Sequence, residues 1–165
     1  MRPFCTCDTK EYYRLLSNPV VHCFESERPE SLHWVEKEIE RLTKITDGSH
    51  MAVCLKDSGQ FIGTMFGLWE DDTFSACWNF LPRYTGQGLA FEGRRAYFDF
   101  LFRIMHARRI YAYVEDYNAP SQRLCEKLGM RKEGLFKEFI SFVNDENGNP
   151  VYENTMQYAI LKKEW

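Results

Sequence analysis

Two glycines one residue apart, Gly86 and Gly88, separate a strand-like run from a helical pattern, and nothing else in the sequence restricts the fold as tightly. Thr73 to Leu81 reads as a strand, Pro82 breaks it, and Tyr97, Phe100, Leu101 and Ile104 then recur at helical spacing through about Met105. Between them, Arg83-Tyr84-Thr85-Gly86-Gln87-Gly88 lets bare backbone approach a ligand, and the free N–H groups of the helix's first turn attract an anion. Phosphate is the natural guest. A Walker loop requires Gly-Lys-Ser/Thr after its second glycine, whereas Leu89-Ala90 follows Gly88. A dinucleotide fingerprint requires a small residue where Phe91 stands, and it belongs in the first βαβ unit of a parallel sheet. Both uses fail, which leaves a phosphate-binding turn of another kind.

The rest of the chain sets elements around that turn. Asp8 is an N-cap acid with Glu11 three positions on, and Tyr12, Leu15 and Leu16 follow before Asn18-Pro19 ends a first short helix. Leu32, Val35, Ile39 and Leu42 recur at steps of three and four, predicting an amphipathic helix over about 29–44. Met51 to Lys56 and Phe61 to Leu68 flank Asp57-Ser58-Gly59 as an antiparallel hairpin. Arg109 to Glu115 is a further strand, Asn118-Ala119-Pro120 starts a helix, and Gly129 stops it. Gly134 to Val143 and Val151 to Leu161 close the chain as a hairpin. The order is α-α-β-β-β-α-β-α-β-β, with a possible extra strand at Arg2 to Cys5.

At 165 residues the chain has the length of one domain, residues 1–165, and its 44% hydrophobic and 27% charged content excludes disorder and coiled coil. With 21 basic against 24 acidic side chains, bulk positive charge is not available to grip nucleic acid. No run approaches the roughly 18 apolar residues of a membrane span, so a cytoplasmic protein is the default. The six cysteines read as reduced core thiols, and without paired ligand spacing no metal is expected.

The glycine turn resembles the Arg/Gln-x-x-Gly-x-Gly/Ala signature of the GNAT acetyltransferase superfamily. Downstream, Arg109-Ile110-Tyr111-Ala112-Tyr113-Val114, then Asn118-Ala119-Pro120-Ser121, then Glu126-Lys127-Leu128-Gly129-Met130 look like that superfamily's strand-Asn-helix segment. Phe61-Ile62-Gly63-Thr64, Gly134-Leu135-Phe136 and Tyr158-Ala159-Ile160-Leu161 extend the likeness, the last two toward its ribosomal-protein N-terminal (Rim-like) branch. The resemblance implies an α+β fold: a central mixed, mostly antiparallel sheet flanked by helices, with a V-shaped splay between Thr73–Leu81 and Arg109–Glu115.

It also implies an acetyl-CoA-dependent N-acetyltransferase passing acetyl directly to a primary amine, a protein N-terminal α-amine in the first instance. A small-molecule amine, or a catalytically silent acyl-CoA-binding module, is the alternative, and either a monomer or a homodimer fits. Coenzyme A would meet Leu81, Arg83, Tyr84, Thr85, Gly86, Gln87, Gly88, Leu89, Ala90, Asn118, Ser121 and Lys127. Two customary groups are missing, because Ser75 stands where relatives carry a glutamate and Cys125 where others carry a tyrosine. Ser121 then becomes the donor to the departing thiolate. Glu115, with Glu25 and Glu27, is the candidate base or amine anchor. Tyr111, Tyr113 and Tyr117 read as pocket lining or core, as do Trp34 and Trp78, while most of Arg94, Arg95, Arg103, Arg108 and Arg109 read as a solvated face.

Overall fold

The computed structural model describes all 165 residues. Helices α1 (Thr9–Ser17) and α2 (Leu32–Leu42) precede strands β1 (His50–Cys54), β2 (Phe61–Glu70) and β3 (Thr73–Phe80). Then come α3 (Leu89–Arg103), β4 (Arg109–Glu115), α4 (Ala119–Lys127), β5 (Arg131–Asn144) and β6 (Pro150–Leu161). The six strands form one sheet in the order β1-β2-β3-β4-β6-β5, antiparallel except where β3 meets β4. That exception positions the site. β3 and β4 pair only from Thr73 to Ser75 and from Arg109 to Tyr111, after which the strands part.

Alternation along the strands assigns the two faces. Val53, Ile62, Phe74 and Ile110 point to one side, where Tyr97, Phe98 and Leu101 of α3 and Cys125 of α4 complete a core cluster. Ala52 and Phe61, one residue out of phase, point to the other side and pack against Leu15, Leu16, Val35 and Ile39 of α1 and α2. Each helix presents its apolar stripe to one face of the sheet, which is why periods of 3.6 and 2 coexist in the sequence.

Several expectations need correction. Cys5 and Cys7 are joined in a disulfide, because a single 3-10 turn over Thr6–Asp8 brings their Cα atoms to 5.3 Å; the other four cysteines are free. Arg2 to Cys5 forms no strand, only a bridge from Arg2 to Ala52. Asp8 makes no side-chain cap, since its carboxylate is taken by Arg2 (2.6 and 2.7 Å) and the Cys5 N–H (2.9 Å). The second helix starts later than Pro29, at a Ser31 N-cap whose hydroxyl accepts the Trp34 N–H. Arg94 is no part of a solvated face: it is 1% exposed.

Candidate active site

The turn before α3 is held open by its own bonds. The Thr85 hydroxyl donates to the Pro82 carbonyl (2.8 Å) and the Gln87 amide to the Arg83 carbonyl (2.8 Å), while Arg83 pairs with Glu11 of α1 (2.9 Å). Gly86 and Gly88 adopt φ of 74° and 80°, left-handed values that a side chain resists. A Cβ at either glycine would meet nothing within 4 Å, so the turn faces open space. The first α3 residue to bond backward is Glu92, to the Gly88 carbonyl, and the N–H groups from Gly86 to Phe91 donate to no protein acceptor. Consecutive free donors at a helix N-terminus fit a pyrophosphate. Beside them a cleft of about 380 Å³ is lined by Arg95, Arg103 and Lys127, and Lys127 lies over the Phe91 ring. Leu81 sits differently, its side chain buried, its N–H on Ile62 and its carbonyl on Tyr84, so it shapes the start of the turn.

Where β3 and β4 part, a small cavity of about 30 Å³ is lined by Cys77, Trp78, Glu115, Asn118 and Ser121, among others. Asn118 is the N-cap of α4: its Oδ1 accepts the Ser121 N–H (3.3 Å), and its Nδ2 donates to Glu115 (3.2 Å). One side chain therefore starts the helix and aligns both candidate catalytic groups. Ser121 Oγ in turn accepts the Trp78 indole N–H at 3.2 Å. Glu115 is buried in this cavity, whereas Glu25 is tied to Arg28 and lies outside it.

Burial pushes Glu27 up to about 6, with Glu38 adding to the effect. Burial likewise pushes the Cys77 thiol to about 12 and Cys23 higher still, each reinforced by Glu27 and Glu115. Both thiols stay protonated and unreactive at neutral pH. Tyr111 and Tyr113 share the face of β4 opposite α3, ring against ring at 5.4 Å, and Phe136 and Phe139 of β5 extend this into an aromatic wall. Tyr117 lies in the loop after β4 and packs on His22, which is hydrogen-bonded to buried Glu153. Trp34 is half exposed, at the rim of a second hollow that holds Glu27.

Sequence reasoning missed Arg94 and its contact with Trp78. The signal was present: Tyr97, Phe98 and Leu101 lie three, four and seven residues on, which places Arg94 on the apolar stripe.

A family model described as an acetyltransferase (GNAT) domain matches residues 1–131. The chain belongs to the GNAT acetyltransferase family. GNAT domains use acetyl-CoA as cosubstrate, and the free donors at the head of α3 suit its pyrophosphate. The chain is 35% identical over 115 residues to uncharacterized N-acetyltransferase YnaD of Bacillus subtilis, covering 68% of this chain and 64% of that one. It is 25% identical over 120 residues to uncharacterized N-acetyltransferase p20 of Bacillus licheniformis, covering 71% and 64%. These matches thus span slightly under two thirds of each curated relative. Among solved structures, a GNAT-family acetyltransferase from Bacillus anthracis superposes with a TM-score of 0.85 at 26% identity, covering 99% of this chain and 94% of that one. A mutant of the spermidine N-acetyltransferase SpeG from Vibrio cholerae (TM-score 0.76, 22% identity, 98% and 94% coverage) shares the fold. So does the ribosomal-protein-S5-alanine acetyltransferase of Vibrio fischeri (0.76, 16%, 99% and 93%).

Proposed function

We propose that residues 1–165 act as one acetyl-CoA-dependent N-acetyltransferase domain whose acceptor is a primary amine, foremost a protein N-terminal α-amine. The observation that carries this reading is the cavity at the parting of β3 and β4, where Asn118 sets Ser121 and Glu115 side by side beyond a turn of free backbone donors. The N–H groups from Gly86 to Phe91 hold the phosphates, with Arg95, Arg103 and Lys127 alongside, and Asn118 steadies the pantetheine arm. Acetyl-CoA supplies the activated acyl group. Glu115 anchors the incoming amine, and Ser121 protonates the sulfur as it leaves. The aromatic wall of Tyr113, Phe136 and Phe139 offers apolar surface to a peptide's first side chains.

Release of free thiol from acetyl-CoA, measured over alanyl peptides, spermidine and N-acetyl-lysine, tests the reading. The alanyl peptides are expected to be used best. Preference for spermidine would move the acceptor to the hollow around Glu27 and Glu38. Silence toward every amine, with acetyl-CoA still bound, would make the protein a binding module.

A further inference from the structure

Arg94 is buried without an ion pair. It is 1% exposed, and neither Nη1 nor Nη2 has a hydrogen-bond acceptor. Its surroundings are the face of Trp78, 3.0 Å from the guanidinium carbon to the ring centroid, the more distant Phe98 ring, and the buried Cys125 thiol. Desolvation lowers the Arg94 pKa to about 10, which still leaves it charged at neutral pH. An isolated buried cation is costly, and an apolar residue would serve the core better, so a position like this calls for a role beyond packing.

The contacts lead from Arg94 to the cavity. Trp78 lies past the last residue of β3 that pairs with β4, and its indole N–H reaches across to Ser121 Oγ. An indole nitrogen only donates, so the serine oxygen accepts this bond and keeps its own proton. Ser17 of α1 spends its proton on the carbonyl four residues back, whereas the Ser121 hydroxyl donates to no protein group. A cation on the face of an indole makes the N–H a better donor, and a hydroxyl that accepts a stronger hydrogen bond gives up its own proton more readily.

We infer that Arg94 and Trp78 are positioning residues for acyl transfer: the guanidinium polarises the indole, the indole holds Ser121, and Ser121 protonates the departing sulfur. This rests on the role given to Ser121 under Proposed function. The amine lone pair forms the C–N bond, and the C–S bond breaks with its electrons on sulfur. Sulfur takes the Ser121 proton, and the proton lost from nitrogen restores the serine through water.

The test compares Trp78→Phe, which keeps an aromatic face over the cation and removes the N–H together with one fused ring, with Arg94→Met, which keeps an unbranched apolar stem and deletes the charge. Each is assayed with acetyl-CoA and with acetyl-selenocoenzyme A, using whichever of an alanyl peptide and spermidine the unaltered protein acetylates. Both variants should lower kcat with the thioester about tenfold, a fraction of what a full acid–base role supplies. They should lose much less with the selenoester, because a selenolate leaves without help from a proton. Arg94→Met should also match or exceed the thermal stability of the unaltered protein. Equal losses with both esters, or no loss in Trp78→Phe, would overturn the relay and leave the pair as packing. Should Ser121→Ala turn over at the unaltered rate, the role of Ser121 itself fails; a slowed Ser121→Ala beside full-rate Trp78→Phe and Arg94→Met would sink the relay alone.

Discussion

Ser121 differs from an ordinary first-turn helix serine in what its oxygen accepts. Its oxygen takes the Trp78 indole N–H and its backbone N–H is satisfied by Asn118, so the hydroxyl is fixed in place without spending its proton. Ser121→Ala should therefore lower kcat about a hundredfold, at the lower end of what a positioned proton donor contributes. The stabilisation conferred by acetyl-CoA, read as the ligand-induced rise in Tm, should survive. Loss of that rise would make Ser121 a binding residue. Asn118 and Ser121 were legible because a cap beside Pro120 is a local signal. The place of Arg94 on the apolar stripe was legible too, but its contact with Trp78 was not, since the partner that meets a charge on such a stripe is settled only by the tertiary fold. The Cys5–Cys7 disulfide escaped for a related reason, as a one-residue spacing carries no information until the turn between the cysteines is known.

At the scale of elements, the turn and α3 act as one device. Gly88 is the α3 N-cap with φ 80°, and no side-chain bond caps the helix, so the first-turn donors are left for a ligand. Gly88→Asp puts a side chain into open space at a strain of roughly 1–2 kcal/mol, and its charge suits the helix dipole, so the fold should survive. Acetyl-CoA at a hundred times its Kd stabilises a native protein by about 2.7 kcal/mol, and in Gly88→Asp that increment should vanish because carboxylate and pyrophosphate repel. An unchanged ligand shift in a folded variant would contradict the assignment of the turn. The elements themselves were readable because period and punctuation agree along most of the chain. One boundary slipped where backbone pairing ran past the sequence pattern: β5 begins at Arg131, three residues before Gly134, because Arg131 and Lys132 already pair with Ala159 and Tyr158. The parting of β3 from β4 came from the family resemblance alone, for no local pattern encodes where two parallel strands separate.

Across the whole molecule, most ion pairs lie at the surface, whereas Glu27 lines a hollow of its own beside Glu38. Glu27 is half-buried with Glu38 nearby, and this pushes its carboxyl up from 4.5 to about 6 in the fold. A carboxyl raised in this way favours the fold fully below pH 4.5, and that contribution is lost as the pH rises through about 6. Glu27→Gln should accordingly raise Tm at pH 8 and lose the advantage by pH 4. An equal advantage at both pH values would show that the carboxylate is not the source.

The chemistry of the acceptor belongs to the proposed function. The family resemblance puts Ser75 where a glutamate is customary, and on that reading the reaction would depend on the fraction of amine already neutral at a given pH. That fraction is roughly 10% at pH 7 for an α-amine of pKa about 8 and roughly 0.04% for a lysine of pKa about 10.4. The most direct test is thiol release from acetyl-CoA as a function of pH with two alanyl peptides whose α-amines differ in pKa. The rate should rise from pH 6 to a plateau whose midpoint moves with the peptide. A midpoint that stays near 6 for both peptides would contradict this account and make Glu27 the base.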